Sequence, residues 1–157
     1  EHLYMDYKND ISFMIDSTLN LYEHQSTWNP NMPLRGLGYF ARLYEDYVRL
    51  NELNIYPLLF LPLVENAFKY VGGDYQLDII MKWENNRISL FIRNSIPELS
   101  AEDEALRKSV DERQRKGIGL VNLRRRLSLL YPNKHRLETR KEETEFVAEL
   151  MIEIEEI

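Results

Sequence analysis

The stretch IYPLLFLPLVENAFKYVGG, from Ile55 to Gly73, restricts the fold more than any other part of this chain. Pro57 has a backbone angle suited to a first helical turn, and Gly72-Gly73 offers the left-handed conformation in which helices close at least cost. Between them Leu61, Val64 and Phe68 recur at helical spacing, which predicts a helix opening at Pro57 and closing at the glycine pair. Asn66, Lys69 and Tyr70 stand at i, i+3 and i+4, so they share a neighbouring face, with Glu65 beside them. A solvated polar face is one reading of that spacing. A ligand-binding face is the other, because an adjacent Glu-Asn pair in the middle of a buried helix needs a partner for each polar group.

Strand patterns follow the helix. Leu77, Ile79 and Met81 alternate with Asp78, Ile80 and Lys82, and Ile88, Leu90 and Ile92 alternate with Ser89, Phe91 and Arg93. Glu84-Asn85-Asn86-Arg87 between them reads as the turn of a hairpin. Near the end, Phe146, Ala148, Leu150 and Ile152 alternate with Val147, Glu149, Met151 and Glu153, with His135 to Arg140 as the expected partner strand. In Gly117-Ile118-Gly119-Leu120 the glycines open a further helix, whose Leu120, Leu123, Leu127 and Leu130 face the core. Such a helix start lets backbone N–H groups approach an anion. Helix, hairpin, polar loop, helix and hairpin predict an α+β layered sandwich.

The first 54 residues are harder to read. Tyr4, Tyr7, Ile11, Met14, Ile15, Leu19 and Tyr22 fall near helical spacing, yet Ile11 to Ile15 equally suits a short strand. Ser26 to Pro33 reads as a loop, and Leu34 to Leu53 as a helix weakened at its start by Gly36 and Gly38.

Composition excludes several classes. The 157 residues are enough for one sizeable core, and 44% hydrophobic with 29% charged residues describes an ordinary globular chain. No apolar run approaches the roughly 18 residues of a membrane span, and no signal peptide opens the chain. The absence of cysteine removes disulfides, thiolate nucleophiles and Cys-based zinc sites. A formal charge of -6 argues against nucleic-acid binding, and only Arg124-Arg125-Arg126 is locally basic. Because residue 1 is Glu and not Met, a fragment of a longer protein is expected.

LPLVENAFKY resembles the N-box of the GHKL ATP-binding superfamily, above all that of LytS/YehU-like bacterial sensor histidine kinases, which read close to PLVENAIKHG. KGIGLVNLRRRLSLLYP, from Lys116 to Pro132, is similar to that family's second glycine box and the helix after it. The two strings stand in the family's order, about fifty residues apart, and cover roughly residues 55–157.

The resemblance implies a Bergerat-type two-layer α/β sandwich, a mixed sheet covered on one face by helices. Residues 55–157 would form the ATP-binding catalytic domain, and residues 1–54 a helical linker or partial dimerisation segment. It implies binding of Mg-ATP and transfer of the γ-phosphoryl to a histidine on another segment or chain. Asn66 is then the Mg²⁺ ligand, and Glu65 orients or deprotonates the attacking group. Lys69 offsets phosphate charge, and Tyr70 stands where the family usually has His. Asn94 accepts from the adenine amine in place of the family's Asp. Gly117, Gly119 and Leu120 approach the phosphates, Asn122 reaches the nucleotide, and Ile96 to Lys116 forms the mobile ATP lid. A response regulator, acting with a homodimeric full-length kinase, is the implied partner. The implied location is cytoplasmic, as part of a membrane-attached sensor.

The chain also departs from the family. It lacks a phosphoacceptor box close to NPHFLFN: the nearest strings are Ile11 to Asn20 and the bare Asn29-Pro30, and His2, His24 and His135 stand in no such context. The strand and roughly twenty residues that usually precede the N-box are missing, unless Asp10 to Asp16 supplies the strand. Phe91 to Ser95 carries neither glycine of the first glycine box. These departures favour a second expectation, a degenerate nucleotide-binding or dimerisation module that signals without phosphoryl transfer.

Overall fold

Two hairpins with complementary apolar faces build the centre of the sheet. A computed structural model describes residues 10–15, 18–24, 32–53, 55–56, 59–97 and 118–154. Strands β3 (Gln76–Glu84) and β4 (Arg87–Ser95) form the first hairpin, and β5 (His135–Lys141) and β6 (Glu145–Glu153) the second. Asn85 and Asn86 turn the first hairpin with φ of 51° and 60°. Two successive left-handed residues match the twist of the strands, and asparagine tolerates that conformation better than most side chains.

Upstream, β1 (Asp10–Ile15) pairs with β2 (Thr18–His24), and β2 pairs with β3. The described strands make one six-stranded sheet in the order β1-β2-β3-β4-β6-β5. Every neighbouring pair is antiparallel, so the expected mixed sheet is corrected. The connection from β2 to β3 explains this: it holds two helices, α1 (Met32–Leu50) and α2 (Leu61–Tyr70). A single crossover helix would return the chain for a parallel neighbour, whereas two in succession deliver it from the opposite end. The strand beside β3 is thus β2, with β1 outside it at the edge. Segments on both sides of residue 54 share this sheet.

One face of the sheet carries the core. Leu19, Leu21, Leu77, Ile79, Met81, Ile88, Leu90, Ile92, Ala148, Leu150 and Ile152 are buried there, together with the inward residues of α1, α2 and α3 (Ile118–Leu130). Each such leucine, isoleucine or methionine side chain contributes roughly 1.5–3 kcal/mol relative to exposure. The opposite face is laced by surface ion pairs, among them Arg93 with Asp78, Arg87 with Glu153 and Arg140 with Glu149. This is an α+β, two-layer arrangement.

Helix α2 begins at Leu61, four residues after the expected start at Pro57, and residue 57 lies outside the described residues. Pro62 accounts for the shift. It has no N–H to give to a preceding turn, so it fits only the first turn, where the Phe60 carbonyl accepts from Leu63 and Val64. The helix closes as expected, with Gly73 at φ 63°.

Tyr44 of α1 stacks on Phe40 (ring centres 5.8 Å apart) and meets Phe60 edge-on at 5.7 Å. Its buried hydroxyl has no hydrogen-bond partner among the described residues. Burial, aided by the nearby Tyr131, pushes its pKa up to about 12. Tyr44→Phe keeps the ring contacts and removes an unpaired hydroxyl, so it is expected to stabilise the fold by about 1 kcal/mol at neutral pH. The folded state holds this proton more tightly than the unfolded chain does. Stability is therefore full below about pH 10 and falls as pH rises towards 12. Denaturant melts at pH 8 and pH 11 check both points: the variant should lose less stability than the parent on going alkaline.

Candidate functional site

Helix α2 packs against both β4 and α3, so the elements bearing most of the expected nucleotide-binding residues meet around it. Leu63, Val64, Ala67 and Phe68 turn inward, which leaves Glu65 and Lys69 exposed and Asn66 and Tyr70 half-buried. The Lys69 ammonium lies 5.4 Å from the centre of the Tyr70 ring, a cation–π distance. These four residues thus share the outward side of one short helix, with Asn66 and Tyr70 towards its boundary with the core.

Asn94 differs from all of them. It continues the core-facing series Ile88, Leu90, Ile92 to the end of β4, where that pattern would place another apolar residue. The side chain is 1% exposed. Its Nδ2 donates to the Ser95 carbonyl at 3.2 Å, while its buried Oδ1 has no partner among the described residues. An acceptor withdrawn from water without a donor costs about 1–3 kcal/mol, so it calls for an explanation.

The neighbourhood of Asn94 is fastened by residues that spacing did not reveal. The Ser95 hydroxyl donates to the Gly72 carbonyl at 2.6 Å and accepts from the Gln76 N–H at 2.9 Å. The Gly72 N–H returns a bond to the Ser95 carbonyl at 3.0 Å, and Ile96 donates to Thr144 at 2.8 Å. These bonds tie the end of α2 to the end of β4 and to the β5–β6 turn. Gly72 is required for the contact, since a Cβ there would lie 2.7 Å from Cδ of Pro97. The one sequence signal was a serine and a glycine pair at two element ends, which composition alone does not connect.

The α3 residues are placed less tightly. Leu120 is half-buried against the core, whereas Gly119 and Asn122 are exposed. A Cβ on Gly119 would meet nothing within 4 Å, so packing does not demand glycine there. No acidic residue occupies the first turn of α3, which leaves its exposed N–H groups open to an anion. Gly117 and nearly all of the expected lid, residues 98–116, lie outside the described residues, as do His2, residues 26–31 of the expected Ser26 to Pro33 loop and the side chain of His24, while Met32 and Pro33 open α1. His135 is half-buried, with Nδ1 2.7 Å from the Tyr131 carbonyl, as befits a packing residue.

Among the described residues no three His, Cys, Asp or Glu side chains gather to hold a metal. Asn66 would supply one hard oxygen, with phosphate and water oxygens completing a Mg²⁺ octahedron. No helix among the described residues is long and apolar enough to cross a membrane. Compared with protein-family profiles, with curated protein sequences and with solved structures, the chain matches none of them.

Proposed function

We propose that this chain is the ATP-binding catalytic part of a sensor histidine kinase of GHKL type, which binds Mg-ATP and passes the γ-phosphoryl to a histidine on another segment or chain. One observation carries the reading: the buried Oδ1 of Asn94 at the end of β4, which has no partner among the described residues. The side-chain NH2 gives one of its two hydrogens to Ser95, and the free oxygen is an acceptor that suits the exocyclic amine of adenine. The VENAFK and GIGLVNLRRRL strings support the same reading. So does the two-layer fold, in which α2 lies between β4 and α3.

In this reading Asn66 lends its carbonyl oxygen to Mg²⁺, and the first turn of α3 from Gly119 to Leu120 receives phosphate oxygens on backbone N–H groups. Lys69 swings from Tyr70 towards the phosphates. Glu65, exposed at the surface of α2, accepts the proton of the attacking group. Positioning and charge neutralisation supply most of the rate enhancement in such transfers. The chain is proposed to act with a response regulator and within a homodimer, in the cytoplasmic part of the sensor.

The departures at Asn94 and Tyr70, with no phosphoacceptor box, favour a second reading, a degenerate nucleotide-binding or dimerisation module that signals without phosphoryl transfer. Calorimetric titration with ADP and a non-hydrolysable ATP analogue, with and without Mg²⁺, tests the site itself. Saturable, Mg²⁺-dependent binding that Asn66→Ala weakens by about tenfold is the expected result. No binding at millimolar nucleotide would remove the kinase reading and leave the dimerisation or partner-contact module. Glu65→Ala then separates them: a kinase loses transfer to a supplied phosphoacceptor helix while its nucleotide affinity stays unchanged.

A further inference from the structure

Helix α3 is apolar on two opposite sides. Leu123 and Leu127 are buried, yet Ile118, Val121 and Leu129 stand out at 47%, 66% and 72% exposure. Ile118, Val121, Arg125 and Leu129 follow one another at steps of three and four residues, so they form one stripe directly away from the core. At 1.5 Å per residue the stripe is about 16 Å long, three turns of helix. Isolated exposed apolar residues are ordinary, but three aligned on one short helix form a surface.

Charge indicates what fits there. The helix sequence IGLVNLRRRLSLL holds three arginines and no acidic residue, in a chain with a net charge of -6. Arg124 is used internally: it donates to the Leu137 carbonyl at 3.1 Å and reaches Thr139 Oγ1 at 3.4 Å. Arg125 and Arg126 are exposed and have no acidic partner among the described residues. We propose that this face of α3 docks an acidic amphipathic helix of a partner protein, its apolar stripe on Ile118, Val121 and Leu129 and its carboxylates on Arg125 and Arg126. A second copy packed symmetrically would set Arg125 against Arg125, and like charges there repel. An anionic bilayer, being a plane, would approach far more of an acidic molecule than this stripe, whereas a single helix approaches mainly the stripe itself. An acidic helix gains the apolar contact and both ion pairs. This inference does not depend on nucleotide binding.

The test uses the whole chain and a synthetic helical peptide of about four turns, with a leucine stripe flanked by glutamates. A counterpart carries lysines in place of the glutamates. Fluorescence anisotropy and backbone amide NMR shifts are read for the parent and for Arg125→Glu. Saturable binding of the glutamate peptide is expected, with shifts centred on α3, about fivefold or more over the lysine peptide, and with Arg125→Glu reversing the preference. Equal affinity for both peptides, no saturation, or a preference unmoved by Arg125→Glu overturns the proposal. Co-sedimentation with phosphatidylcholine–phosphatidylglycerol vesicles in place of peptide binding also overturns it, in favour of a membrane surface. So does self-association that Val121→Glu abolishes, in favour of a second copy.

Discussion

Gly36→Ala is expected to destabilise the fold by about 2 kcal/mol, although alanine is intrinsically the better helix former by about 1 kcal/mol. Gly36 is buried in α1, and a Cβ built on it would overlap the ring of Phe68, itself 1% exposed in α2. The ring has no room to retreat, because Leu63, Val64 and Ala67 beside it are buried as well. Inserting one methyl into a full core displaces side chains or backbone. Gly38, two residues on, is the internal control: it is exposed, and nothing lies within 4 Å of the Cβ it would gain. Gly38→Ala should therefore stabilise by about 0.5–1 kcal/mol through helix propensity alone. Urea melts of the two variants should move in opposite directions with unchanged slope. Phe68→Leu, costly alone, should cost less in the Gly36→Ala background, since each change gives space to the other. Two glycines that move stability the same way would show that the α1–α2 approach is not what Gly36 serves.

The same pair of glycines shows why the sequence was legible in some places and not in others. Both weaken the predicted start of α1, and nothing in their spacing distinguishes the one that meets Phe68 from the one that meets solvent. That distinction belongs to the third dimension. Period-two alternation, by contrast, maps directly onto the faces of a sheet, so Leu77, Ile79 and Met81 and their partners Ile92 and Leu90 lie buried as read. Helix α3 was similarly legible in Leu123 and Leu127. Strand direction was not, because the mixed sheet was implied by the resemblance alone, and the sequence left open which upstream residues form the strand beside β3. The strands upstream of α1 were left open for a related reason: Ile11 to Ile15 is too short for periodicity to decide.

At the candidate site, legibility followed chemistry. Asn94 was named only through the resemblance, as the residue in place of the family's Asp, and the structure adds that its oxygen is buried with no partner among the described residues. Glu65, Asn66, Lys69 and Tyr70 stood out through spacing and do share one side of α2. The fastening by Ser95 and Gly72 did not, because every partner of the Ser95 hydroxyl and of the Gly72 N–H is a backbone group of the kind that every residue possesses.

Asn94→Leu is the substitution that best separates a binding residue from a structural one, because its two effects have opposite signs. Leucine nearly matches asparagine in size, and it removes a buried acceptor that has no donor among the described residues. It also removes the 3.2 Å bond from Nδ2 to the Ser95 carbonyl, but that carbonyl keeps the Gly72 N–H at 3.0 Å and is not left unpaired. The free protein should therefore gain about 1 kcal/mol. Bound nucleotide should lose more, because the adenine amine would be buried against a methyl group with nothing to receive its hydrogen. That penalty of roughly 1–3 kcal/mol lowers affinity by between about fivefold and 150-fold. Thermal melts with and without ADP and Mg²⁺ measure both at once: a raised melting temperature in the absence of nucleotide, and a smaller increase on adding it. A variant that loses stability without nucleotide would mark Asn94 as a structural residue whose oxygen is satisfied within the fold. In that case the acceptor assigned to adenine would have to be sought elsewhere, and the nucleotide reading would lose the observation on which it stands. A variant that is more stable and binds less would assign the cost of the unpaired oxygen to recognition of the base.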